Sequence, residues 1–168
     1  MHVPHRVVEY SVFANLWRWA AWIQVAALVG GGMMISAAST RTWISNGSWL
    51  QAGTSLGEGQ IALALGGIAV VLGSARIIFP GRATRITTTI LGLLLSIAVI
   101  MLTLATFKES GQYNNILSYV APRQPGPGLY NTLYGGIITG IGSLFGLAPA
   151  DPDLPPWQPR QSGAPTPN

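Results

Sequence analysis

The stretch that decides the fold is residues 61–107, IALALGGIAVVLGSARIIFPGRATRITTTILGLLLSIAVIMLTLATF. It holds two long apolar runs, Ile61 to Phe79 and Ile86 to Phe107, separated by Pro80-Gly81 and a few basic residues. Each run has about 20 residues, or about 30 Å of helix, which matches the hydrocarbon core of a bilayer. Proline followed by glycine ends the first helix and starts a turn. The connection Pro80 to Arg85 is too short for anything but a reversal, so the two runs predict a central antiparallel helical hairpin.

Two further runs flank this hairpin. Trp19 to Ala38 is as long as the first two, with Trp17, Trp19 and Trp22 clustered where an aromatic belt belongs. Ser36-Ala37-Ala38 resembles a signal-peptide cleavage site, but the apolar run is longer than a usual signal core. Leu133 to Pro149 is shorter and rich in glycine, and reads as a fourth span or as a re-entrant segment. The expected fold is therefore all-α: an integral membrane protein with four transmembrane helices at 19–38, 61–79, 86–107 and 133–149. The remaining segments are N-terminal residues 1–18, read as an interfacial helix or an extension of the first span, and a proline-rich tail at 150–168. Residues 39–60 and 110–128 read as polar loops, with Trp43 and Trp49 at the membrane surface and Lys108-Glu109 ending the third helix.

Composition agrees. Of 168 residues, 49% are hydrophobic and only 8% charged, and the mean hydropathy is +0.40. A soluble domain carries about 25% charged residues. The net charge of +4 is scattered between the runs and forms no patch, so it speaks for topology and not for nucleic acid. Arg6, Arg18, Arg76, Arg82, Arg85 and Arg160 fall on one side of a four-span chain, and Arg41, Lys108 and Arg123 on the other. The richer side is cytoplasmic by the positive-inside rule, which puts both termini in the cytoplasm.

Helices in lipid associate through small residues and polar contacts, not through hydrophobic drive. Small-residue stripes recur on every run: Ala20, Gln24, Ala27 and Gly31 on the first; Ala62, Gly66, Ala69 and Gly73 on the second; Thr89, Gly92, Ser96 and Thr103 on the third. The fourth carries Gly135, Thr139, Gly142 and Gly146, with Gly136 and Gly140 beside them and Ile137, Ile138, Ile141, Leu144 and Phe145 opposite. These stripes serve either the inside of the bundle or a surface that docks on a partner. Arg76, three residues after Gly73, either snorkels to the headgroups or, with Arg82 and Arg85, contacts a lipid phosphate or a partner's acid.

The catalytic inventory is thin. There is no cysteine, and both histidines, His2 and His5, precede the spans. The acids Glu9, Glu58, Glu109, Asp151 and Asp153 all avoid the middle of a span. A proton relay, an axial haem ligand or an activated serine would need such groups inside. The sequence therefore predicts a protein that is not an enzyme, with no cofactor and no metal. The expected role is that of an accessory subunit of a larger membrane complex, respiratory or transporting lipid or solute, whose partners are other membrane subunits and anionic lipid. The alternative is a self-associating membrane protein that works as a homo-oligomeric channel, exporter or sensor.

One resemblance bears on this. The small residues closing the first run, then Ser39-Thr40-Arg41-Thr42-Trp43, an outer loop, the glycine- and alanine-rich run from Ile61, and Arg76 to Arg85 before another apolar run follow one another in order. Over residues 19–105 the chain resembles small four-helix actinobacterial membrane proteins of the tryptophan-operon-associated type. The resemblance implies four spans and a bacterial inner membrane, and no functional residue.

Overall fold

The computed structural model describes residues 6–46, 49–117 and 123–147, with side chains omitted for 6–18, 46, 49, 110–117 and 123. The fold is mostly helical. Four helices, α1 (Arg6–Ser39), α2 (Gly57–Ile78), α3 (Arg82–Leu117) and α4 (Pro127–Leu144), are joined by a small sheet of β1 (Thr42–Asn46), β2 (Trp49–Ala52) and β3 (Arg123–Pro125). Three helical segments, Trp19–Ser39, Gly57–Ile78 and Arg82–Glu109, are long and apolar enough to cross a membrane, as fits a membrane protein.

The helices pack antiparallel, and the order around the bundle is α2, α1, α4, α3. Helix α1 lies along both α2 and α4, and α3 leans mainly on α4. Helices α2 and α3 share the short turn through Pro80-Gly81 yet touch each other much less. The hairpin is thus a connection more than a packing unit. Leu28 of α1, fully buried, reaches between them and packs close to Gly73 and Gly92. Helix α2 buries one stripe, Gly59, Ala62, Gly66, Ala69, Gly73 and Arg76, at spacings of three and four; Gly66 and Gly73 pack on α1 and Gly59 packs on Gly53.

Several expected boundaries are corrected. Helix α1 is continuous from Arg6 and has 34 residues, so from Arg6 the segment before Trp19 continues the first helix. Helix α3 does not stop at Lys108-Glu109 but runs 36 residues to Leu117, about 54 Å. Lysine and glutamate mark where the chain leaves an apolar environment, but both are good helix formers and give the backbone no reason to stop. Of the segment expected as a polar loop, residues up to Leu117 are helical, Arg123–Pro125 is a strand, and residues 118–122 lie outside the described ones. Helix α4 begins at Pro127, at the position where a missing N–H costs least, and closes in a tight turn, Phe145–Leu147. The proline-rich tail lies outside the described residues.

The sheet is the main departure from an all-α fold. Strand β1 is central and pairs antiparallel with β2 (Asn46 opposite Trp49, Thr42 opposite Ala52) and with β3 (Ile44 opposite Pro125, Asn46 opposite Arg123). Thr42 and Ile44 face the consecutive residues Ala52 and Gln51, so Trp43 is the extra residue of a bulge. A bulge re-aims its side chain. Trp43 therefore turns into the bundle and is fully buried. Its Nε1–H donates to the Ala38 carbonyl (3.0 Å), and its own carbonyl accepts from Gly126 N–H (2.6 Å). Gly53 and Gly128 lie directly against the indole, where a larger residue would not fit.

Candidate functional site

Two ends organise the bundle: a sheet end, around Trp43, and a turn end, around Pro80-Gly81. Between them the helices meet backbone to backbone. A Cβ placed on Gly32 would lie 2.7 Å from the Gly66 carbonyl, and one on Gly66 would lie 2.8 Å from the Gly32 carbonyl. Gly73 fits against Val29, where an added Cβ would come within 2.7 Å of its Cγ2. On the other flank of α1, a Cβ on Gly135 would lie 2.7 Å from Ile35 and 3.0 Å from the Gly31 carbonyl, while Gly142 faces Ala27 and Gly146 faces Gln24 and Thr89. Gly136 packs on Val99 of α3, which an added Cβ would approach to 3.0 Å, and Gly140 packs on the Ser96 side chain. The glycines at 66, 73, 135, 136, 140, 142 and 146 thus face neighbouring helices of the same chain. The outward surface is bulky instead: Ile68 and Val71 on α2, Leu94 and Met101 on α3, and Ile138 and Ile141 on α4 are all exposed.

Hydroxyl groups line the inside without demanding partners. Thr103, Thr132, Thr139 and Ser143 donate to carbonyls one turn back in their own helices, at 2.7–2.9 Å. Two contacts do cross between helices. Ser96 Oγ donates to the Gly136 carbonyl at 2.8 Å, joining α3 to α4. Gln24 Nε2 donates to Thr89 Oγ1 (3.0 Å) and Thr88 Oγ1 (3.3 Å), joining α1 to α3. Both threonines pass their own protons to the Arg85 carbonyl, so the chain of donors runs from Gln24 to the backbone of α3.

This network sits at the turn end, and it is where charge enters the fold. Gln24 is fully buried, and its Oε1 receives no hydrogen bond. Arg76 is only 7% exposed, so it does not snorkel into open solvent. Its Nη1 reaches the Gly81 carbonyl at 3.5 Å, the outer limit of a hydrogen bond, and its Nε is buried with no acceptor. Arg85 is half-buried and near enough for the two like charges to repel, and Arg82 is exposed beside them. Of the three arginines singled out from sequence, then, two turn inward and one outward. The described acid side chains lie elsewhere: Glu58 in the first turn of α2, where it complements the helix dipole, and Glu109 near the far end of α3.

The sequence stripe on the first helix contained Gln24, but nothing in it showed that this glutamine would reach α3. The available signal was its polarity: a lone amide in a span must find a partner across a helix interface. Among the described residues, no three His, Asp or Glu side chains group as metal ligands would. No protein-family model matches the chain, and no curated protein matches it.

Proposed function

We propose that this chain is a non-catalytic accessory subunit of a larger bacterial membrane complex, multi-pass in the inner membrane. The observation that carries the reading is the closed interior. From Ala27–Gly142 through Gly31–Gly135 to Ala38–Gly128, α1 and α4 approach so closely that a single Cβ would collide with the opposite helix. Helices α1 and α2 meet in the same way at Gly32 and Gly66. Such seams leave no path between α1 and its two neighbours at these depths, which favours a transport path between this chain and another. The outward rows on α2, α3 and α4 are the surfaces available for that neighbour.

The same contacts support α4 as a fourth span. It runs antiparallel to α1 from Gly146–Gln24 to Gly128–Ala38, at the same depth as the apolar part of α1. Its low hydropathy comes from glycines and hydroxyls that face inward, while Ile137, Ile138, Ile141 and Leu144 face outward. With four spans, the arginines of the turn end mark the cytoplasmic side and both termini share it.

Purification of the native protein in mild detergent tests the role. Stoichiometric co-isolation of other membrane polypeptides is expected. A homo-oligomer with nothing else attached would overturn the accessory reading and favour self-association.

A further inference from the structure

We propose that the turn end is the docking surface for the start of the chain's own C-terminal tail, with Asp151 and Asp153 paired to the arginines gathered there. The tail itself lies outside the described residues, but the place from which it departs is fixed. Helix α4 closes in the turn Phe145–Leu147, and Gly146 packs on Gln24 and Thr89. Thr89 Oγ1 in turn donates to the Arg85 carbonyl at 2.8 Å. The tail therefore sets out beside the first turns of α3.

The surface at that place is basic. The Nη1 of Arg76 and the backbone N–H of Arg85 reach the same Gly81 carbonyl, at 3.5 and 3.0 Å, and Arg82 follows Gly81 directly. Arg82 is exposed, Arg85 half-buried and Arg76 buried, so the charge extends from the interior to the rim. Charge of one sign gathered in one place attracts an acidic segment and steers its approach. Ile78 and Phe79, exposed before the turn, add an apolar flank, and the tail carries Leu154 and Trp157 next to its acids.

The chain holds five acids, and position selects among them. Glu58 opens α2 and Glu109 lies near the far end of α3, both toward the sheet end. Glu9 lies on α1, 15 residues before Gln24, and so about 22 Å beyond the layer that Gln24 shares with Thr89. Arg85 is one turn, about 6 Å, from that layer. Asp151 and Asp153 follow Leu147 by four and six residues, which gives them a reach of about 14 and 20 Å. Pro149, Pro152, Pro155 and Pro156 narrow the conformations open to this stretch and so lower the entropy lost when it docks.

The test uses the full chain in mild detergent at low salt, with spin labels on cysteines introduced by Ala83→Cys and Leu154→Cys into the otherwise cysteine-free protein. The distance between the labels should be short and narrowly distributed. Asp151→Asn/Asp153→Asn should lower the ratio of docked to undocked tail about fivefold, and Arg82→Gln should shift it in the same direction. Raising the salt should do the same, because exposed ion pairs are screened. Glu9→Gln should leave the distribution unchanged. The tail variant does not touch the bundle, so it tests the proposal even if the arginine variant folds poorly. A broad distribution in the parent, or a narrow one that survives neutralising both aspartates, would overturn the proposal. So would a short distance that disappears when labelled protein is diluted with unlabelled protein, since the tail would then dock on a second copy.

Discussion

The triplet Gly30-Gly31-Gly32 in α1 offers a test of backbone-close packing in adjacent residues. A Cβ on Gly30 meets nothing within 4 Å, whereas one on Gly32 lies 2.7 Å from the Gly66 carbonyl, 2.9 Å from Ala69 Cβ and 3.0 Å from Val70 Cγ2. Ordinary contact begins near 3.4 Å, so Gly32→Ala must push α1 and α2 apart by about half an ångström or more. Such overpacking costs about 1–3 kcal/mol, and alanine's better helix propensity returns about 0.5–1 kcal/mol. The net expectation is a loss of up to about 2.5 kcal/mol for Gly32→Ala and a gain of about 0.5–1 kcal/mol for Gly30→Ala. The two variants differ by one alanine each, two positions apart in one helix, so composition and insertion hydropathy are matched. Equilibrium unfolding in mixed micelles measures both. Shifts of the same sign and similar size would refute the close approach of α1 to α2.

Three further outcomes are expected. Ser96→Ala removes the hydroxyl that donates to the Gly136 carbonyl and should cost about 0.5–1.5 kcal/mol, read by the same unfolding titration. Trp43→Phe keeps most of the buried ring but removes the donor to the Ala38 carbonyl, and a loss of about 1–3 kcal/mol is expected, with the sheet end exchanging its amide hydrogens faster. The chain has no cysteine, so single cysteines at Ser55 and Gly81, both exposed, can be labelled with a membrane-impermeant maleimide in intact cells. Labelling should occur at Ser55 and not at Gly81; the reverse pattern would invert the topology, and equal labelling would remove the span between them.

The helices were legible because a span advertises itself twice, by length and by hydropathy. What those signals report is the apolar environment and not the helix, and so the extension of α3 past Glu109 went unread and that of α1 before Trp19 stood only as one of two readings. The glycine stripes were legible as packing surfaces, but two surfaces of the same chemistry fit a sibling helix and a foreign one alike. Only the three-dimensional register, with Gly31 against Gly135 and Gly142 against Ala27, shows which helix each one faces. The sheet was invisible for a different reason. Its strands have five, four and three residues, one ends in proline, and β3 joins β1 across nearly half of the chain. No local periodicity encodes such a pairing. The inward turn of Trp43 was equally hidden, because it depends on the bulge and not on any local pattern.

The order α2, α1, α4, α3 has a consequence for biosynthesis. As the chain leaves the ribosome, α1 and α2 can settle at once, since each finds its seam in the other. Helix α3 arrives next with much of its hydroxyl-bearing face uncovered, because its main neighbour is α4 and has not yet been made. Until α4 packs, Ser96 has no Gly136 carbonyl to reach, and Gly31 and Gly135 cannot close their seam. A chain interrupted before Pro127 would therefore display a polar, glycine-floored groove to the bilayer.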